Sequence, residues 1–237
     1  MTIVDILSPT HLVTLLTLTF LEVVLGVDNV IFIAILAGKL PAQQQAQARQ
    51  LGLIVALLTR ILLLLSLTWI MKLVDPLFTV LGNEISGRDI ILLIGGLFLI
   101  AKSTMEMHHS LEGHQENAGG AAKKANFWGT VIQIGILDIV FSLDSVITAV
   151  GLSNEVLVMI TAIVIAVIIM LVFSGALSRF IDQHPTIKIL ALSFLSLIGM
   201  SLVAESFDFH IEKGYIYFAM VFSVVVELIN MRMRASA

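Results

Sequence analysis

Glu22 and Asp28 stand six residues apart inside a long apolar run, and Asp138 and Asp144 repeat that spacing inside another. The neighbours repeat too. Glu22-Val-Val-Leu-Gly-Val-Asp28-Asn29-Val30-Ile31 lies over Asp138-Ile-Val-Phe-Ser-Leu-Asp144-Ser145-Val146-Ile147, acid over acid and Asn29 over Ser145. A carboxylate at the centre of a bilayer costs about 2.5 to 3.5 kcal/mol on insertion scales, so four of them in a duplicated pattern point to a function that requires charge at that depth. Carboxylates, a carboxamide and a hydroxyl form an all-oxygen donor set, which suits hard cations such as calcium, magnesium or manganese. Zinc and copper prefer imidazole and thiolate. The chain has no cysteine, which removes disulfides and thiolate metal sites.

The elements that must carry these residues are membrane helices. The 237 residues are 58% hydrophobic and 13% charged, and the mean hydropathy of +1.04 leaves little room for a soluble globule. Seven apolar runs approach the roughly 20 residues that a span needs, at about 11–37, 50–74, 89–105, 127–151, 156–178, 187–206 and 214–231. The first run contains acids and lacks a basic leader and a small-residue cleavage site, so it reads as a retained helix. The expected fold is an all-α polytopic membrane protein with seven transmembrane helices.

A second internal match sharpens that expectation. Gly96-Leu-Phe-Leu-Ile-Ala-Lys102-Ser103 lies over Gly199-Met-Ser-Leu-Val-Ala-Glu205-Ser206, pairing helix 3 with helix 6. The order becomes repeat one (about 10–105), a polar connection (about 106–126), repeat two (about 127–206) and a seventh helix (about 214–231), all within one transmembrane domain. Three helices per repeat is an odd number, so the repeats are predicted to be inverted, as in secondary transporters. Inversion would put Glu22 near the depth of Asp144, and Asp28 near that of Asp138. Within one helix, six residues turn through about 600 degrees and rise about 9 Å, so the two acids lie on neighbouring faces unless the helix breaks; Gly26 and Ser142 are the places for a break.

Lys39, Arg49, Lys123, Lys124, Arg179, Lys188, Arg232 and Arg234 fall on one side of the predicted topology, against Lys72, Arg88 and Lys213 on the other. This bias puts the C-terminus in the cytoplasm and the N-terminus outside. Trp69, Phe78, Phe127, Trp128, Tyr215 and Tyr217 fall near helix ends, where aromatic rings favour the interface. The connection holding Glu106, His108, His109, Glu112, His114 and Glu116 reads as a solvated loop, with a metal-sensing segment as the alternative.

An ion-pair network is the alternative use of the core acids, since Arg60 and Lys102 are placed to neutralise two of them; Lys102 has the further option of snorkelling to the interface. Two cations against four acids leave two negative charges for a divalent ion or two protons. Glu205 and Glu227, nearer span ends, read as interfacial carboxylates. Thr17, Thr59, Ser66, Thr68, Ser193 and Ser196 read as packing or backbone-bonding hydroxyls. His11, His184 and His210 are isolated and carry no assignment.

Leu25-Gly-Val-Asp28-Asn29 and Phe141-Ser-Leu-Asp144-Ser145, in a seven-helix chain of this size, resemble the TerC family of integral membrane proteins within the wider LysE-like exporter superfamily. The likeness covers nearly the whole chain. Members are named for tellurium resistance, but the resemblance implies manganese export, with Glu22, Asp28, Asn29, Asp138, Asp144 and Ser145 in the ion path. Many members carry Pro two places after the second motif's Ser, where this chain has Ile147, and in this it is similar to a compact inner-membrane subgroup.

The expected function is therefore a secondary transporter in the inner membrane that exports a hard divalent cation, Mn2+ foremost, coupled to protons. The alternative is a non-transporting membrane partner that supports export, metal loading or stress response of other proteins. With no nucleotide-binding motif, a chain acting alone must draw on an ion gradient. No nucleophile with a base and no cofactor signature is present, so neither an enzyme nor a tightly bound cofactor is expected. The expected partners are the lipid bilayer, the cation and protons, with no nucleic acid.

Overall fold

A computed structural model describes residues 9–66, 74–80, 83–112, 126–152 and 155–235, apart from the side chains of a few residues within those ranges. Among the described residues seven helices follow in order: α1 (Pro9–Gly38), α2 (Ala42–Leu65), α3 (Gly87–Glu112), α4 (Phe127–Leu152), α5 (Val156–Gln183), α6 (Pro185–Glu205) and α7 (Lys213–Ala235). Six of the helices are long and apolar enough to cross a membrane, and α4 contributes a shorter apolar stretch, Phe127–Leu143. The chain is a polytopic all-α membrane protein.

Two helices outrun their apolar stretches. α2 begins at Ala42, not near residue 50, because Ala42-Gln-Gln-Gln-Ala-Gln-Ala is polar yet rich in strong helix formers. α3 continues through residue 112, so the first turns of the expected polar loop are helix. There Glu106 is 3% exposed, and Lys102 Nζ meets it at 3.1 Å one turn away. Lys102 thus pairs on its own helix. His114 and Glu116, and the side chain of Glu112, lie outside the described residues.

Between α2 and α3 the chain forms an antiparallel pair, β1 (Pro76–Val80) with β2 (Asn83–Ser86), with Phe78 opposite Ile85 and Thr79 opposite Glu84. Pro76 lacks an amide proton, and Thr79, Val80 and Ile85 are β-branched, which favours extended backbone over another helical turn. β2 runs into a capping box: the Asp89 carboxylate accepts from the Ser86 amide at 2.9 Å and from its hydroxyl at 2.6 Å, while Ser86 Oγ accepts from the Asp89 amide at 3.2 Å.

The chain divides into two compact units. One comprises 1–73 and 124–179, the other 74–123 and 180–237. In the first, α2 packs along α4, and α1 touches both. Gln45 Nε2 donates to the Gly38 carbonyl at 3.1 Å and to the Leu40 carbonyl at 2.9 Å, tying the end of α1 to the start of α2. In the second unit α3 and α6 form the most extensive helix pair. Their backbones meet at two glycines. A Cβ on Gly96 would sit 2.6 Å from the Gly199 oxygen and 2.8 Å from Val203 Cγ2; a Cβ on Gly199 would sit 2.8 Å from the Gly96 oxygen and 2.9 Å from Ile100 Cγ1. Close approach of this kind is how helices gain contact where lipid removes the hydrophobic drive to associate.

The obstacle at Gly96 is backbone, which cannot swing aside. Gly96→Ala is therefore expected to cost about 1 to 3 kcal/mol and to lower the melting temperature of the detergent-solubilised protein. Gly214→Ala, where nothing lies within 4 Å, is expected to leave it unchanged or slightly raised. Equal effects at the two positions would contradict the crossing.

Candidate ion site

The six expected site residues divide into three whose side chains are described and three whose side chains are not. Glu22 and Asn29 lie on α1 and Asp138 on α4, and all three are buried, at 5%, 6% and 3% exposure. Asp28, Asp144 and Ser145 belong to the same helices, but their side chains lie outside the described residues. Neither helix breaks: α1 is continuous through Gly26 and α4 through Ser142.

Continuity decides which residues face one another. Asn29 follows Glu22 by seven residues, a rotation within about 20 degrees of two full turns, so it shares Glu22's face and lies about 10 Å along it. That face meets α2 and α4. Arg60, 3% exposed, reaches from α2 between the two carboxylates: Nη1 donates to Glu22 Oε2 at 2.7 Å, and Nη2 and Nε donate to Asp138 Oδ1 at 3.0 and 3.2 Å. Asn29 Nδ2 donates to the same Oδ1 at 3.2 Å.

The second oxygen of Asp138 is also engaged. Thr59 Oγ1 lies 3.0 Å from Oδ2, with the Val55 and Ala56 carbonyls as its other acceptors at 3.0 and 2.9 Å. Ser142, one turn after Asp138, brings its hydroxyl to 3.2 Å from Oδ2 and also bonds the Asp138 backbone carbonyl. Asp138 is thus surrounded by donors from three helices. Asn29 Oδ1, by contrast, is buried and accepts no hydrogen bond from the described residues. Turning the carboxamide over would point that oxygen at a carboxylate, so the amide nitrogen must face Asp138 and the oxygen is left as an unused acceptor.

Sequence reasoning placed Arg60 only as a possible neutraliser. The structure makes it the centre of the cluster. The Asn29–Asp138 bond brings that turn of α1 beside Asp138, and Glu22 and Asp138 share one guanidinium. Thr59 does bond backbone carbonyls, as expected, and in addition reaches Asp138. Counting seven from Glu22 instead of six would have singled out Asn29 as its face-mate, whereas nothing in the sequence alone directs Thr59 or Ser142 toward Asp138.

The other acids are held locally. Glu205 ends a candidate span, as expected, but is buried rather than open to water, at 7% exposure; it accepts from Arg88 Nη2 at 2.8 Å, with His210 Nδ1 at 3.9 Å. Glu227 lies 3.5 Å from Asn230 Nδ2. His109 Nδ1 lies 2.7 Å from the Met105 carbonyl, and among the described residues no three His, Asp or Glu side chains gather to hold a metal.

The guanidinium and two carboxylates carry a formal charge of minus one, before Asp28 and Asp144 on the same helices are counted. Burial strengthens each attraction and raises the penalty for leaving any member unpaired. Oxygen donors and a net negative charge are the features that a cation requires of a site.

Comparisons with known proteins agree with this architecture. Residues 7–237 match the integral membrane protein TerC family. A Haemophilus influenzae protein named "UPF0053 protein" is 58% identical over 229 residues, covering 97% of both chains. The Escherichia coli K12 "UPF0053 inner membrane protein YgdQ" is 51% identical over 226 residues, 95% of this chain and 94% of that one. A longer E. coli relative, "UPF0053 inner membrane protein YoaE", is 52% identical over 225 residues, which make up 43% of its length. No solved structure matches. With almost its full length matched and identities above half, the chain belongs to the TerC family of integral membrane proteins.

Proposed function

We propose that this protein is a secondary transporter of the inner membrane that exports a hard divalent cation, Mn2+ foremost, from the cytoplasm, with protons as the coupling ion. The observation that carries the reading is the buried oxygen cluster of Glu22, Asn29 and Asp138, which holds more negative than positive charge and an acceptor, Asn29 Oδ1, without a donor among the described residues. Asp28, Asp144 and Ser145, one residue or a few turns away on the same two helices, complete an oxygen-only ligand set. Such a set favours Mn2+, Mg2+ or Ca2+ over softer ions. The inner-membrane placement rests on the names of the two E. coli relatives.

An inverted repeat supports alternating access, and the α3–α6 crossing supports the repeat. Gly96 and Gly199 are equivalent in the internal alignment, as are Ile100 and Val203. Each glycine contacts the other and the partner of its own neighbour, the reciprocal pattern that a two-fold axis generates. Ser103 and Ser206 also match, each donating to the carbonyl three residues back, Ile100 at 3.1 Å and Val203 at 2.7 Å. In the inverted-repeat design the ion site lies at the repeat interface, where one helix of each repeat contributes ligands. Here those helices are α1 and α4.

In proteoliposomes holding a Mn2+-sensitive dye, the native protein is expected to move Mn2+ and to respond to an imposed pH gradient. Asp28→Asn and Asp144→Asn are expected to insert and purify normally while losing at least about tenfold in rate, since a neutral carboxamide keeps the shape and removes the charge. Normal flux in either variant would remove that acid from the ion path. Absence of flux in the native protein would shift the function to a non-transporting membrane partner.

The excess of Lys and Arg on alternate connections sets the orientation. A reporter fused after Ala237 is expected to read as cytoplasmic and one placed before Thr10 as external. The reverse at both ends would invert the direction of transport argued here.

A further inference from the structure

We infer that Arg60 is a tethered counter-cation: it occupies the carboxylates of Glu22 and Asp138 when no divalent ion is bound and competes with that ion for Asp138. The inference rests on the transport reading above and concerns what happens at the same site between one ion and the next.

The hydrogen-bond count at Asp138 is the first support. Its Oδ1 accepts from Arg60 Nε, Arg60 Nη2 and Asn29 Nδ2, and its Oδ2 is within reach of Thr59 and Ser142. An ionised carboxylate oxygen has about two lone-pair positions, and Oδ1 already faces three donors, so a metal ion binds Oδ1 only as a donor leaves. The guanidinium supplies two of the three donors on Oδ1, and it alone among them would repel an incoming dication. Repulsion between cations a few ångströms apart is strong where water is excluded.

Asn29 is the second and independent support. With Arg60 in place it offers Asp138 its amide nitrogen and leaves Oδ1 buried without a donor among the described residues. A cation at Asp138 would reverse that preference and draw Oδ1 inward as a ligand. A carboxamide beside a carboxylate can serve both states by turning over, which neither a second acid nor an apolar residue could do.

The consequence concerns the return of the empty carrier. After release of the ion, carboxylates left unpaired in a low-dielectric interior would oppose any conformational change that keeps them desolvated. Arg60 re-entering the site supplies positive charge at no cost in diffusion, because it is covalently attached. Loss of the guanidinium should therefore tighten ion binding and impair the empty return, leaving exchange of one ion for another.

The experiment uses the purified full chain. Mn2+ binding is measured at equilibrium by calorimetry and by the loss of the free Mn2+ resonance, beside net efflux and Mn2+-for-Mn2+ exchange in proteoliposomes. Arg60→Ala is expected to bind Mn2+ at least about tenfold more tightly, to retain exchange and to lose net efflux. Millimolar guanidinium ion added to Arg60→Ala, well below denaturing levels, is expected to return the affinity toward the native value, which a merely structural role for Arg60 would not produce. If Arg60→Ala does not fold, Arg60→Lys carries the test: a compact ammonium cannot span both carboxylates, and a severalfold gain in affinity is expected. Unchanged or weaker binding in the folded variant, or indifference to guanidinium, overturns the inference while leaving transport intact. Native protein that binds no Mn2+ overturns both.

Discussion

A buried guanidinium between two carboxylates constrains the first compact unit more than any other feature. Glu22, Arg60 and Asp138 come from α1, α2 and α4, and each is at most 5% exposed. Removing one member of such a set typically costs about 3 to 5 kcal/mol, because a charge is then left buried and uncompensated. The three helices must consequently keep the register that holds the pairs together. Thr59 and Ser142, each next to or one turn from a charged member on its own helix, add neutral donors at Asp138 without adding charge. A fully apolar interior of the same shape would be easier to build. A charged interior weighted toward the negative is the arrangement that the proposed passage of a cation would call for.

The compact units do not coincide with the sequence repeats. α1 and α4, equivalent in the internal alignment, lie in one unit, and α3 and α6, also equivalent, lie in the other. Each unit is thus built from matching members of both repeats. The charged cluster organises one, and a glycine-to-glycine crossing organises the other. These are the two ways helices associate where lipid is as apolar as the side chains: polar contacts across the interface and close backbone approach.

Most of this architecture was legible from residue type and spacing. The seven apolar runs correspond to the seven helices of the described residues, and the paired acids mark the helices that carry the cluster. Helix ends were less legible: Ala42-Gln-Gln-Gln and Glu106 to Glu112 are polar enough to read as loop, yet the first has high helix propensity and the second follows directly from a long helix. The β1–β2 pair was not anticipated, because a four- or five-residue strand leaves little periodic signal. Charge counting identified Arg60 and Lys102 as the available cations but could not say which acid each would meet. Lys102 lies one turn from Glu106 and is satisfied locally, whereas Arg60 has no acid within a turn on α2 and must reach other helices. Sequence alone also favoured the acid-to-acid spacing of six over the Glu22-to-Asn29 spacing of seven, which a continuous helix makes the relevant one.

Asp138 and Asn29 are proposed to exchange a guanidinium for a divalent ion. The most direct measurement is anomalous scattering from crystals of this protein grown with and without Mn2+. Exchange at Asp138 requires a manganese peak in direct contact with the Asp138 carboxylate and the Asn29 carboxamide oxygen, with Arg60 withdrawn from Asp138 only in the manganese-bound crystals. A manganese peak away from Asp138, with Arg60 still bonded to both carboxylates, would contradict it.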